Sequence, residues 1–273
     1  MNIVIYIKIY FIKYNMTMTF ILSGKTSDFV TGHNSVMLDQ AKEYEAALLS
    51  LDTYNSIPNI IEEKNNIFKY YNGATWKIIA LKTGAYELTA INNDLRRQMI
   101  ANGDSNRNGD STFSITANIS RSTSIVNIKN LNYKIDFGVE NSIGTILGFG
   151  ATVIGYGYNE STHIVDIMPT NSILVNIDII NGSYVNGSPS PSIYSFYPNV
   201  APGYKIVERP NPSLIYCPVS RNDISRMRVW FTDQDGNLVD FRGERITIKI
   251  CIREVKSRSA ESEILKAVSE IKN

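Results

Sequence analysis

A period of two in the apolar residues is the feature that most constrains the fold of this chain. From Met18 onward, short runs rich in β-branched and aromatic residues recur, and clusters of Gly, Asn, Asp or Pro separate them. The runs are MTFILSG, YEAALLSLDTY, NIFKYY, TWKIIALK, TFSITANI, TSIVNI, NSILVNIDII, SIYSFY, RMRVWF and RITIKICIRE. Successive side chains of a strand point to opposite faces of a sheet, so this alternation is typical of strands with one buried face. The sequence therefore predicts an all-β chain that forms a sandwich or barrel.

The composition allows a core of substantial size but gives no charge signature. Of the 273 residues 43% are hydrophobic, which suffices for one large or two small domains. Basic and acidic residues number 27 and 26, and the formal net charge is +1. Without a basic surface we expect neither direct binding to nucleic acid nor attachment to an anionic membrane.

The predicted domain organisation has four parts, and its internal boundary is soft. They are an apolar leader (1–17), an N-terminal β region (18–130), a C-terminal β region (131–255) and a helical tail (256–273). The two β regions can also form one sandwich together. In the leader, Lys8 and Lys13 interrupt the apolar run and no small-residue cleavage site follows, so it fits neither a spanning helix nor a secretory signal well. Translation from Met16 or Met18 is the simpler interpretation, and a signal or anchor is the alternative.

One internal segment, TAINNDLRRQMIANG, has helical rather than strand periodicity. Ile91, Leu95 and Met99 recur at helical spacing, Thr89 is a candidate N-cap, and Gly103 lies where a C-cap glycine belongs. We therefore expect one short helix within the β chain.

The segment SAESEILKAVSEIKN predicts an amphipathic helix after the last strand. Acidic residues come early and lysines late, as the helix dipole favours. Its apolar stripe, a candidate assembly tail, consists of Ile264, Leu265, Val268 and Ile271. Two interpretations are open: the helix packs against its own sheet, or it docks on a neighbouring subunit.

No motif in the sequence predicts catalysis or a cofactor. The chain has two histidines, His33 in a predicted loop and His163 on a predicted strand, and neither lies near a nucleophile elbow. The glycine spacing of GFGATVIGYGYN matches no phosphate-binding loop. A pair of carboxylates for glycoside hydrolysis is an alternative that stays open, because a sequence does not show which carboxylates lie close in space.

One loop resembles a calcium-binding loop in part. The candidate ligands are Asp104, Asn106, Asn108 and Asp110, of which the first three occupy positions one, three and five, with Gly109 at position six. Position twelve is Ile115 instead of a bidentate carboxylate, so a plain Asn/Gly turn is the alternative, and the sequence predicts no bound metal with any strength.

The stretch WFTDQDGNLVDFRGERITIKICIRE is interpreted as scaffold. Asp233, Asp235 and Gly236 fit a type I turn, and Gly243 a second turn. A long last strand then follows, with isoleucines on one face. Cys217 and Cys251 show no zinc spacing, and they can form a disulfide only if their Cα atoms come within about 7 Å.

Several short sequence blocks, taken together in their order along the chain, resemble a known protein family. They are MTFILSG, YEAALLSLDTYNSIPNI, KTGAYELTAINNDLR, NSIGTILGFG, NSILVNIDIINGSYVNG, IYSFYPNVAPGYKIVE and DQDGNLVDFRGERITIKICIRE. The series resembles the penton-type minor capsid proteins of adintoviruses and related Polinton (Maverick) elements, which also occur integrated in invertebrate genomes. Such proteins begin near the first block, which favours Met16 or Met18 as the start. The leader and the helical tail lie outside the resemblance.

The resemblance implies a jelly-roll capsid protein at the vertices of an icosahedral particle. It implies a homopentameric ring, contact with the major capsid protein of the same virus, no catalysis and no cofactor. Its place would be the virion, after assembly inside the host cell, in the nucleus.

Two functions compete with a capsid role. A receptor- or glycan-binding β-sandwich could use tyrosines in the later loops, namely Tyr184, Tyr194, Tyr197 and Tyr204. A β-sandwich hydrolase is the third candidate, kept only because carboxylate pairs cannot be seen in one dimension.

Overall fold

The structure is a computed structural model that describes residues 17–104, 112–210 and 214–255. Within these ranges it contains one α-helix and eighteen strands. The helix is α1 (Leu88–Ala101). The strands are β1 (Thr17–Gly24), β2 (Asp28–Met37), β3 (Tyr44–Tyr54), β4 (Ile67–Asn72), β5 (Trp76–Ala80), β6 (Phe113–Asn118), β7 (Thr123–Ile128), β8 (Tyr133–Asp136), β9 (Val153–Ile154), β10 (Gly157–Glu160), β11 (Ile173–Ile177), β12 (Ser183–Val185), β13 (Ser188–Ser190), β14 (Ser192–Phe196), β15 (Lys205–Glu208), β16 (Cys217–Pro218), β17 (Asp223–Thr232) and β18 (Ile246–Glu254).

Two antiparallel sheets form a sandwich from the beginning and the end of the described chain. The first sheet has the order β1-β18-β3-β15, and β16 also pairs with β3. The second sheet has the order β14-β11-β17-β2. Inward side chains of both sheets belong to one hydrophobic cluster, which includes Leu22, Leu48, Ile250, Val175, Met227 and Phe231. The prediction of a mostly β chain with antiparallel sheets in a sandwich is confirmed.

Strand β18 shows how alternation in the sequence places this core. Its even-numbered isoleucines, from Ile246 to Ile252, are fully buried, while Thr247, Lys249 and Arg253 lie on the other face. The pairing of β18 with β3 shifts register between Lys249 and Ile250, because β3 carries one additional residue there. This bulge lets the longer β3 keep its apolar side chains on the buried face.

Residues 60–167, here called the insert, connect β3 to β11 and have a core of their own. The insert contains α1 and two antiparallel sheets with the orders β5-β4-β8-β9 and β10-β7-β6. Their buried side chains form a second hydrophobic cluster, which includes Phe68, Tyr70, Leu95, Phe113, Val126 and Phe137. The division at residue 130 stays a prediction. The distribution of buried side chains favours a different division, in which the insert is one unit and the sandwich is built from the chain on either side of it.

Helix α1 has the buried face that its sequence predicts. Ile91, Leu95 and Met99 are buried, and Gly103 follows the helix with φ of +76°. The N–H groups of Gly103 and Asp104 donate to the carbonyl oxygens of Ile100 and Met99, the two bonds of a Schellman motif.

The predicted cap at Thr89 was wrong. The helix begins at Leu88, and Glu87 is the N-cap, without a side-chain capping bond. The chain reaches helical geometry earlier than cap preferences indicate, because tertiary packing outweighs them at a helix end.

The insert leaves and rejoins the sandwich at neighbouring points. The Asn59 side-chain amide donates to the carbonyl oxygens of Tyr86 (2.7 Å) and Ile167 (2.8 Å), and its Oδ1 accepts the Tyr86 N–H (2.8 Å). One buried asparagine therefore ties the two connecting segments together.

No helix in the described part of the chain is long and apolar enough to cross a membrane. The predicted tail helix and the leader, except its last residue, Thr17, lie outside the described residues.

Candidate functional site

The two histidines lie where the sequence did not predict them. His33 lies in β2, not in a loop, and its ring packs 5.2 Å from that of Phe20. The segment looked like a loop because β2 carries additional residues there, which breaks the alternation. His163 lies in the loop after β10, and its Nδ1 is 3.1 Å from Thr162 Oγ1. Neither ring is part of an acid–base arrangement among the described residues.

Of the candidate calcium ligands, Asp104 is described, and Asn106, Asn108 and Asp110 lie outside the described residues. The Asp104 carboxylate accepts hydrogen bonds from Tyr70 Oη (2.6 Å) and Asn72 Nδ2 (2.9 Å), and Lys77 Nζ lies 2.7 Å away. The side chain is 8% exposed. A cation at this carboxylate would compete directly with the Lys77 ammonium group.

The electrostatics of Asp104 follow from these contacts. Burial alone would raise the pKa of its carboxyl, but hydrogen bonds from Lys77, Tyr70 and Asn72 outweigh burial and lower it. The pKa of Tyr70 is raised by burial and by its bond to the carboxylate. The Asp104 backbone oxygen also accepts the Tyr133 hydroxyl (2.8 Å). The arrangement fixes the end of α1 against β4 and β5, and in the described residues no cluster of three His, Cys, Asp or Glu side chains could hold a metal ion.

In the acidic turn after β17, the Asp233 carboxylate accepts hydrogen bonds from N–H groups of the turn itself. Asp233 Oδ1 accepts the N–H groups of Asp235 (2.9 Å) and Asn237 (2.9 Å), and the Gly236 N–H donates to the Asp233 carbonyl (3.2 Å). Gly236 has φ of +86° and Gly243, in the next turn, +76°. The carboxylate of Asp233 therefore serves the turn rather than a ligand.

Cys217 and Cys251 lie on opposite faces of the first sheet. Cys217 pairs with Ala46 on one side of β3 and belongs to the sandwich core, whereas Cys251 pairs with Ala47 on the other side. With β3 between them, the two strands are about 9–10 Å apart, beyond the roughly 7 Å that a disulfide allows. Both thiols are free and buried.

Three of the four candidate tyrosines are exposed, and the prediction that all four lie in loops was wrong, because Tyr184 lies in β12 and Tyr194 in β14. Tyr184, Tyr197 and Tyr204 present their rings to solvent. Tyr194 is half-buried, and its hydroxyl donates to Glu208 Oε2 (3.1 Å). Burial and, secondarily, the negative charge of Glu208 raise the pKa of Tyr194. Tyr194 therefore anchors β14 against β15, and the other three are available for contacts.

A cavity of about 350 Å³ lies where the insert meets the sandwich. Its apolar walls include Ile57, Pro58, Tyr86, Met168, Val200 and Pro202. Sequence reasoning missed this cavity because its walls come from four separated segments, and the only local signal was the proline-rich character of the loops. Volume, apolar lining and a position between two units are typical of ligand sites.

The polar groups around this cavity are of two kinds. Asn55 and Asn59 direct their amides to the chain itself, with Asn55 Nδ2 donating to the Val200 carbonyl (2.6 Å). The Glu87 carboxylate lines the cavity and, among the described residues, has no hydrogen bond or ion pair. The cavity therefore combines an apolar floor with one exposed acidic side chain at its edge.

Comparison with known proteins gives a weak likeness to solved structures and none to a family model or curated protein. No protein-family model matches the sequence, and no curated protein matches it. The crystal structure of the selenomethionine-labelled mavirus penton protein aligns with 88% of this chain and 100% of its own, at 9% identity and a TM-score of 0.46. An identity and a TM-score this low assign no function to the chain.

Proposed function

We propose that this chain is a structural subunit of a viral capsid, that it forms a cyclic oligomer at the particle vertices, and that it contacts the major capsid protein. A homopentamer is the oligomer we propose. The observation that carries the proposal is the strand order of the sandwich.

The long strands of the sandwich alternate between sheets in a specific way. Taken in chain order, β1, β2, β3, β11, β14, β15, β17 and β18 are its first to eighth strands. The first sheet contains strands one, eight, three and six, and the second contains two, seven, four and five. This order fits a jelly roll, an eight-stranded double sheet that viral capsid proteins share with lectins and cupins. The order of the sequence blocks that resemble penton-type proteins supports the capsid role among these.

The free edges of the sandwich support assembly. β1 and β2 are both edge strands, and each leaves one row of backbone groups unpaired. β1 carries the exposed Ile21 (66%), with threonine and serine beside it on the same face. In a ring, a heterologous contact with the next copy would cover such an edge, and it closes after a fixed number of copies.

The test is the mass of the full chain in solution, measured by light scattering during size-exclusion chromatography, alone and with the major capsid protein. We expect a species of five times the chain mass, and we expect Ile21→Lys to shift it toward the monomer without unfolding. Ile119→Lys, at another exposed position, is the matched control. A monomer in both conditions, with no binding to the major capsid protein, would overturn the proposal.

A non-catalytic glycan-binding module is the second candidate. The exposed rings of Tyr184, Tyr197 and Tyr204 favour it, because exposed flat aromatic faces suit contact with other molecules. Glycan-array binding that disappears when these tyrosines become alanine, in a chain that stays monomeric, would favour this function over assembly.

A further inference from the structure

We propose that the cavity between the insert and the sandwich holds the C-terminal tail of a neighbouring copy, with the stripe that contains Ile264, Leu265 and Val268 on its apolar floor. This inference rests on the proposed cyclic oligomer and specifies one of its contacts. The tail lies outside the described residues, so its side of the contact is argued from sequence.

The cavity suits an apolar helix face. Its polar neighbours Asn55 and Asn59 already bond to the chain, so an occupant meets chiefly side chains such as Ile57, Met168 and Val200. An amphipathic helix that lays its apolar face into a hydrophobic groove is a recurring mode of recognition.

The charges are complementary as well. Glu87 places a carboxylate at the cavity, and no described residue pairs with it. In the tail, Lys266 directly follows Ile264 and Leu265. A lysine beside an apolar stripe can bury its stem and reach a carboxylate at the edge of the groove.

The outer face of the first sheet offers the tail little apolar surface where the chain leaves it. The outward residues there include Thr17, Thr19, Lys249 and Arg253. Arg253 pairs with Glu45 (2.6 Å) and stacks 3.4 Å from the centre of the Tyr216 ring. Packing beside the end of β18 would place the apolar stripe against charged and hydroxyl groups, and the exposed Ile21 lies farther along β1.

Distance argues against the cavity of the same copy. The Val255 N–H donates to the Glu43 carbonyl (2.9 Å), beside the start of β3, whereas the cavity is lined by Asn55, just beyond the end of β3. Between those two ends, with one residue of β3 taken up by the bulge, the chain spans roughly 36 Å. From Val255 to Ile264 even a fully extended chain spans only about 30 Å. The occupant is therefore a second copy, arranged head to tail, which is the heterologous geometry that closes a ring.

Disulfide trapping between full-length chains tests this contact. One copy carries Leu265→Cys, and an isotopically labelled copy carries Met168→Cys, whose side chain is 55% exposed in the free chain. The matched control is Tyr158→Cys, 82% exposed on β10 of the insert. Docking raises the local concentration of the two thiols, so we expect about tenfold more mixed dimer with Met168→Cys than with the control.

A charge reversal completes the test. We expect Glu87→Lys to reduce the mixed dimer and Lys266→Glu, added in the tail, to restore it. Equal trapping at the cavity and control positions would overturn the inference. If the ring mass persists in that case, the proposed function stands and only this contact fails. If no oligomer forms with or without the major capsid protein, the proposed function fails too.

Discussion

The Asp104 side chain holds several elements of the insert together through hydrogen bonds and an ion pair. It joins the end of α1 to β4 and β5 through Tyr70, Asn72 and Lys77. An asparagine side chain at this position would remove the charge that Lys77 requires and part of the acceptor capacity. We expect Asp104→Asn to lower the free energy of unfolding by about 2 kcal/mol, less than for a fully buried pair because Lys77 is 32% exposed.

Urea denaturation measures this loss, and Glu62→Gln is the control. Glu62 pairs at 3.8 Å with the highly exposed Lys82, so its loss should cost no more than about 0.5 kcal/mol. Equal effects of the two substitutions would show that the Asp104 contacts contribute nothing beyond a surface pair.

The same carboxylate predicts a pH dependence. Its pKa is below the usual value of 3.8 in the folded state, so the unfolded chain takes up a proton first as the pH falls. The contribution of Asp104 to stability is therefore complete above about pH 4 and is lost as the pH falls through the folded-state pKa. We expect the stability of Asp104→Asn to fall less steeply below pH 4 than that of the wild-type chain; parallel curves would contradict the assignment.

Substitutions at Gly148 and Gly236 distinguish the cost of backbone strain from the cost of a steric clash. Both have positive φ, +76° and +86°. A Cβ at Gly148 would lie 2.3 Å from the His163 carbonyl oxygen, whereas at Gly236 nothing lies within 4 Å. We expect Gly236→Ala to cost about 1 kcal/mol and Gly148→Ala about 3 kcal/mol or more, measured by thermal and urea unfolding. Similar costs would mean that the loop around His163 moves aside freely.

At the scale of elements, the buried faces of single strands and helices could be predicted from the sequence. The strands with which each strand pairs could not. The isoleucines of β18 and the Ile91, Leu95 and Met99 face of α1 follow from periodicity alone. The pairing of β1 with β18 joins segments more than two hundred residues apart, and no local pattern specifies it. The cavity was missed for the same reason, and helix ends such as Thr89 were missed because packing shifts them.

The placement of the cysteines on opposite faces of the first sheet gives a prediction at this scale. We expect Cys217 and Cys251 to stay reduced under mild oxidation, because β3 separates them. In the folded chain neither thiol should react quickly with a thiol reagent, and both should react after addition of guanidinium, as measured by mass spectrometry. A peptide pair linked by a disulfide between these two positions would contradict the register described for the sheet.

For the molecule as a whole, membership of a hydrophobic cluster defines the two units better than position along the chain does. The sandwich core takes residues from before and after the insert, and a boundary at residue 130 would separate the two halves of both clusters. Sequence alone could not show this, because an insertion between two strands leaves the period of two unchanged on both sides. The Asn59 bonds to Tyr86 and Ile167 show instead that the ends of the insert are neighbours.

This arrangement predicts how the chain can be divided. Replacing the insert (60–167) with a short Gly/Ser linker should leave a sandwich that folds and unfolds cooperatively, because the linker has only the gap at Asn59 to bridge and the sandwich cluster keeps all its members. Separate chains cut after residue 130 should fail to fold, since each lacks part of both clusters. Circular dichroism and urea unfolding of the deletion and the two fragments measure this. A folded fragment 131–255 beside an unfolded deletion variant would reverse the assignment and restore the boundary near residue 130.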